Sequence, residues 1–177
     1  MNKSWKNILG ISFLVACSGA QTNKTDLSQN DSSSIEEDSA EDSAEEIDVV
    51  INEVLAKSDE TEDWFELYNA GDESVDLSGY LVQDSAFAPW PIPDGTVIEA
   101  GGFLVIWADD ALEEGLHASF KLSKDGEVLS LLTPQADGMD EVVFPGLSAE
   151  QSYGRVVDGE DEWIVRDSST PGESNNE

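Results

Sequence analysis

The chain has 177 residues, 39 Asp and Glu against eight Lys and Arg, a formal net charge of −31, one cysteine and one histidine. Such a field repels phosphate backbones and anionic headgroups, which argues against nucleic-acid and lipid-headgroup binding and leaves cations or basic partners as what the chain attracts. One cysteine makes no intramolecular disulfide, and one histidine beside it offers too few ligands for zinc.

The first element is a targeting segment. Lys3 and Lys6 form a positive n-region and Ile8 to Val15 an apolar run interrupted by Gly10 and Ser12, too short for the ~20 apolar residues that cross a bilayer. The run ends in Leu14-Val15-Ala16-Cys17. This stretch resembles the lipobox of bacterial lipoproteins, and the resemblance implies that residues 1–16 are removed and that Cys17 carries a lipid as the first residue of the mature protein. The other explanation is an ordinary secretory signal followed by a free thiol. With two or three acyl chains, each buried methylene contributing about 0.8 kcal/mol, the tether would be stable. Ser18 after the cysteine resembles outer-membrane sorting, which implies display on the periplasmic face or the cell surface.

From Cys17 to Ile47 the composition is Ser, Asp, Glu, Asn, Gln and Ala, with Leu27, Ile35 and Ile47 the only large aliphatics. Ten acids from Asp26 to Asp48 face no base after Lys24. Such a stretch cannot bury enough apolar surface to offset its chain entropy, so an extended, disordered acidic linker is expected. Its reach is about 100 Å at full stretch and about 30 Å as a coil.

Residues 48–177 are the length of one ordinary domain. Short β-like runs recur between turn signals, which predicts an all-β sandwich or barrel. The expected strands are Val49 to Leu55, Trp64 to Asn69, Tyr80 to Asp84, Gly102 to Trp107, Ala118 to Leu122, Glu127 to Leu132, Glu141 to Phe144 and Trp163 to Val165. Four Asp-Gly pairs, at Asp94-Gly95, Asp125-Gly126, Asp137-Gly138 and Asp158-Gly159, are the strongest hairpin signals. The unbroken apolar run Phe103 to Trp107 suggests a central strand, and Asp109 to Leu116 is the one stretch where a turn or two of helix fits.

The runs Val50-Ile51-Asn52-Glu53-Val54, Asp63-Trp64-Phe65-Glu66-Leu67-Tyr68-Asn69, Val75-Asp76-Leu77-Ser78-Gly79-Tyr80 and Ile92-Pro93-Asp94-Gly95-Thr96 carry a family likeness. It continues through Ala100-Gly101-Gly102-Phe103-Leu104-Val105, Gly126-Glu127-Val128-Leu129-Ser130-Leu131 and Asp140-Glu141-Val142-Val143-Phe144 to Ser152-Tyr153-Gly154-Arg155, Trp163 and Thr170-Pro171-Gly172. In order and spacing these resemble the lamin tail domain. The resemblance implies an immunoglobulin-like β-sandwich. Unlike nuclear lamins, the chain has no coiled-coil rod and no basic surface, so filament assembly and nucleic-acid binding do not carry over.

Past Asp48 there are 29 acids against five bases, a net of −24 with His117 neutral. Trp64, Trp107 and Trp163 read as core anchors. Glu53 and Glu66 are acids inside apolar strands; a solvated face is the ordinary explanation, a paired or metal-binding role the other. His117 has no G-x-S-x-G elbow to serve and there is no phosphate loop, so no catalytic residue is assigned and the domain is read as non-enzymatic. Calcium is the one inorganic ligand the composition permits. Three loops concentrate oxygen donors: Asp59, Glu60, Glu62 and Asp63; Asp109, Asp110, Glu113 and Glu114; and Asp158, Glu160, Asp161 and Glu162, the last favoured for its Gly159 turn. The expected function is a lipid-anchored binding or adhesion module for an envelope or extracellular protein or glycan. The alternative is an accessory domain for a separately encoded exported hydrolase.

Overall fold

The computed structural model describes residues 47–85, 89–111 and 114–176, all within one unit, Ser43–Glu177. The expected signal segment, Cys17 and the expected acidic linker up to Glu46 lie outside the described residues. Eleven strands follow in chain order: β1 (Val49–Leu55), β2 (Trp64–Asn69), β3 (Val75–Asp76), β4 (Leu81–Asp84), β5 (Trp90–Pro91), β6 (Val97–Ile98), β7 (Phe103–Trp107), β8 (Gly126–Leu132), β9 (Gly138–Pro145), β10 (Ser152–Arg155) and β11 (Trp163–Arg166). They form an antiparallel five-stranded sheet in the order β11-β10-β1-β2-β7, a four-stranded sheet β5-β4-β8-β9 and a two-stranded ribbon β3-β6. One core joins them. Ile51, Val54, Phe65, Leu67 and Ile106 from the larger sheet pack with Val82, Leu129, Leu131, Val142 and Phe144 from the smaller, all buried. This is the expected all-β sandwich, and no helix occurs among the described residues.

Alternation explains which face each strand buries. In β2, Phe65 and Leu67 enter the core, so Trp64, Glu66 and Tyr68 lie on the outer face of the five-stranded sheet. In β1 the alternation slips: Val49 and Ile51 point inward, and so do Val54 and Ala56. The slip is a β-bulge, since Ile51 pairs with Leu67 while Glu53 pairs with Glu66, leaving Asn52 as the extra residue. A bulge inserts one residue on one strand and resets the phase beyond it. Glu53 and Glu66 therefore stand side by side on the outer face.

Several expectations need correction. Phe103–Trp107 forms the edge of its sheet, not a central strand, and most of its residues are only half-buried. Its outer side is guarded locally, where Trp107 bridges to His117. The segment 118–122 is no strand; it contributes the buried Ala118, Phe120 and Leu122 and an isolated bridge from Lys121 to Asp109. The stretch 109–116 is not helical where described: Asp109 makes that bridge, Asp110 has φ 56, and Leu112 and Glu113 lie outside the described residues. Strand β10 was not expected, because Ser152-Tyr153-Gly154-Arg155 has none of the β-branched content of a typical strand. Of the four Asp-Gly pairs only two turn hairpins, 133–137 between β8 and β9 and 156–162 between β10 and β11. The Asp94-Gly95 pair links strands of different sheets. At Gly126, φ is 92 and a Cβ would lie 2.6 Å from the Phe144 carbonyl, so the glycine permits close backbone approach and is not part of a two-residue turn.

Candidate functional site

The outer face of the five-stranded sheet carries a buried polar layer. Glu53 and Glu66 are both wholly buried, so the solvated-face explanation fails; amides and hydroxyls hold their oxygens. A carboxylate stays charged inside protein only when donors replace its water. Those donors come largely from the C-terminal segment after β11, which folds back over the sheet. One Glu53 oxygen accepts the Ser152 hydroxyl at 2.6 Å, and the other accepts the Thr170 amide at 3.0 Å, with the Thr170 hydroxyl 3.3 Å away. One Glu66 oxygen accepts the Gly172 amide at 2.6 Å, the other the Asn52 side-chain amide at 3.2 Å. Asn175, buried, donates to the Asn52 carbonyl and accepts the Thr170 hydroxyl. Room for this segment depends on Gly154: a Cβ there would lie 3.2 Å from both Arg166 Nε and Asn175 Nδ2 and 3.3 Å from Glu53 Cγ. Burial pushes the Glu66 carboxyl up to about 7; the Gly172 amide and Asn52 oppose that rise, and the neighbouring Glu53 and Asp158 charges add to it.

A second cluster fills the ladder where the bulge interrupts it. β1 meets β10 only through Glu53 with Gly154 and Val54 with Tyr153. Beyond that point Arg155 donates from Nε to the Ile51 carbonyl at 2.7 Å, and the Ile51 amide donates to Asp140 at 2.8 Å. Arg155 and Asp140 then close on each other at 2.9 Å, tying β10 of one sheet to β9 of the other. The guanidinium also donates to the Glu160 carbonyl and lies 4.7 Å over the Trp163 ring, which stacks on Tyr153. Trp163 is thus half-buried at the margin and Trp64 fully buried.

The loop favoured for calcium is engaged otherwise. Asp158 accepts from Asn52 Nδ2 at 2.9 Å, the Asn175 amide at 2.9 Å, Asn176 Nδ2 at 3.2 Å and the Ser174 hydroxyl. Both its oxygens face protons, the wrong polarity for neighbours of a cation. Glu160, Asp161 and Glu162 are exposed, and Asp161 approaches Arg155 at 3.5 Å. In the second loop Asp109 is bound to His117 Nδ1 at 2.7 Å; burial opposes its ionisation, but the His117 and Ala111 contacts prevail and hold its carboxyl below the usual range. Among the described residues no three His, Cys, Asp or Glu side chains group as a metal would require. Asp158, Glu160, Asp161 and Glu162 therefore do not converge on one point. The melting midpoint of the full chain is accordingly expected to stay within about 1 °C when millimolar calcium replaces chelator; a rise of several degrees would show that the loops do bind the ion.

What this face does is hold its own chain. Each carboxylate is satisfied by donors from residues 52 to 176, and the cluster contains neither histidine nor cysteine. Of its completing residues, Asn52, Ser152 and Thr170 stand in the runs that carry the family likeness, with no role assigned to them there, and Asn175 stands outside those runs. One signal was there: Asn52-Glu53, two polar residues in succession inside an apolar strand, is the imprint of a bulge.

A family model described as Lamin Tail Domain matches residues 42–146. No curated protein matches the chain. The matched residues include β1 to β9 and thus Glu53, Glu66 and Asp140, while β10, β11 and the covering segment follow. The family fold is an immunoglobulin-like β-sandwich, whose two layers are the five- and four-stranded sheets. The chain belongs to the lamin tail domain family.

Proposed function

We propose that the chain is a non-catalytic binding or adhesion module displayed on the bacterial envelope, tethered by lipid on Cys17 and spaced by the acidic linker. Family membership supports a binding-type immunoglobulin-like domain. The display part rests on one observation, Leu14-Val15-Ala16-Cys17 behind Lys3, Lys6 and a short apolar run. The buried layer favours a binding frame over an enzyme, because the acids best placed to act as general acid and base are occupied by the chain's own amides and hydroxyls. In a bacterial host, Cys17→Ser is expected to move the protein from the membrane pellet to the soluble exported fraction. A variant that still sediments with membranes overturns the anchor.

A further inference from the structure

The sandwich has four sheet edges, and three are blunted. β5 is two residues long and contains Pro91. β7 is bridged by residue 117. β9 carries Asp140, Glu141 and a terminal Pro145, with Asp140 tied to Arg155. Short length, prolines, charges and covering segments are the usual ways by which proteins keep edges from pairing with foreign strands. The fourth edge, β11, is four residues long and has neither a proline nor, among the described residues, a bridge from another segment. It runs in unbroken register against β10 from Trp163 to Arg166, without glycine, proline or bulge, and no described residue pairs with its outer side. Its single charge, Arg166, is turned inward onto the carbonyls of Arg155, Val156 and Asn175.

The same hairpin is apolar at the surface. Among the described residues five large apolar side chains are exposed, and three of them, Val157, Ile164 and Val165, belong to β10-turn-β11. Ile164 lies on the outer face and Val165 on the other, so both sides of the open edge offer apolar contact. Around it the charge is negative: Glu160, Asp161 and Glu162 lead into β11 and Asp167 follows, all exposed.

We propose that β11 is a docking edge that accepts an extended segment of a partner protein, added as a further strand, with apolar residues alternating with Lys or Arg. Main-chain hydrogen bonds supply affinity in this mode and alternate side chains supply specificity. The basic character of the occupant follows from the acids at both ends of the strand. A second copy of this chain would bring its own net charge of −24 past residue 48 to the same edge. The inference rests on the binding-module reading and gives that module its surface.

The probe is an alternating Lys-Val peptide of about seven residues, roughly one strand in length, titrated into the full chain at low salt with amide shifts followed by NMR. Shifts and slowed hydrogen exchange are expected on residues 163–166. N-methylation on the peptide edge that faces β11 should weaken binding at least tenfold, whereas methylation of the opposite edge should leave it intact. Glu-Val peptides should fail to bind, and Ile164→Lys should weaken the Lys-Val peptide by a similar factor. Shifts spread over the acidic surface with no sensitivity to N-methylation would overturn strand addition in favour of charge attraction. Self-association by sedimentation that buries β11 would assign the edge to a second copy and also overturn it, as would absence of binding at millimolar peptide. Membrane release by Cys17→Ser is independent of all these outcomes, so the anchor and the docking edge can fail separately.

Discussion

Arg155→Ala is expected to destabilise the domain by about 3–5 kcal/mol, the usual cost of removing one member of a buried pair and leaving the other uncompensated. Arg155 is 2% exposed, and three separate groups lose a partner: the Ile51 carbonyl, Asp140 and the Glu160 carbonyl. Two of those losses fall at the bulge, where β10 does not pair with β1 and no strand can take over. Domains are stable by only about 5–15 kcal/mol, so urea unfolding should show a large drop in midpoint. Arg155→Lys should recover little, since one ammonium cannot reproduce a fork aimed at three acceptors. The double variant with Asp140→Ala should lose clearly less than the sum of the two single losses. Strict additivity would mean that the pair does not close the ladder.

Stability is also expected to rise as pH falls from about 7 to about 4.5, the window bounded by the folded and ordinary values of Glu66. The sign follows from proton counting. The fold raises this carboxyl, so the native state holds the proton more tightly than the unfolded chain does. The resulting stabilisation is complete below the unfolded value and is lost as pH climbs through the folded one. The shift sets a ceiling of about 3 kcal/mol, less wherever water reaches the site. Asp63 and Glu127 are raised mainly by burial and act in the same direction. Glu66→Gln isolates the contribution: its melting midpoint should vary several degrees less than that of the parent chain between pH 5 and pH 8. Parallel profiles would place the pH dependence elsewhere.

Much of this architecture was readable from residue pattern because β1, β2, β8 and β9 are long, apolar and bounded by turn residues. β10 was not, because its four residues include a serine, a glycine and an arginine whose value lies in what they reach: Ser152 a carboxylate, Gly154 a clearance, Arg155 a broken ladder. Apolar content misplaced β7 for a related reason. A continuous hydrophobic run signals burial on both faces but does not distinguish a strand with two neighbours from one flanked by a loop. Glu53 and Glu66 stood out as acids in apolar strands, yet apart from Asn52 their partners lie 99 to 117 residues away in sequence. No local pattern encodes contacts of that separation. Calcium was suggested by acid density and the Gly159 turn, and neither orients lone pairs toward a common point.

The placement of β1 between β2 and β10 also fixes when the domain can close. β1 emerges first of the eleven strands, while the residues that cap its carboxylate and complete its far side come at 152 and beyond. Until those residues arrive, β1 presents a raw edge with one uncapped acid, Glu53, which discourages premature pairing in a chain still being made. Contacts this distant in sequence make folding slow compared with a helical bundle of equal size. Residues 152 and beyond supply that closure, so the five-stranded sheet is complete only once its last two strands and the segment that covers it are in place.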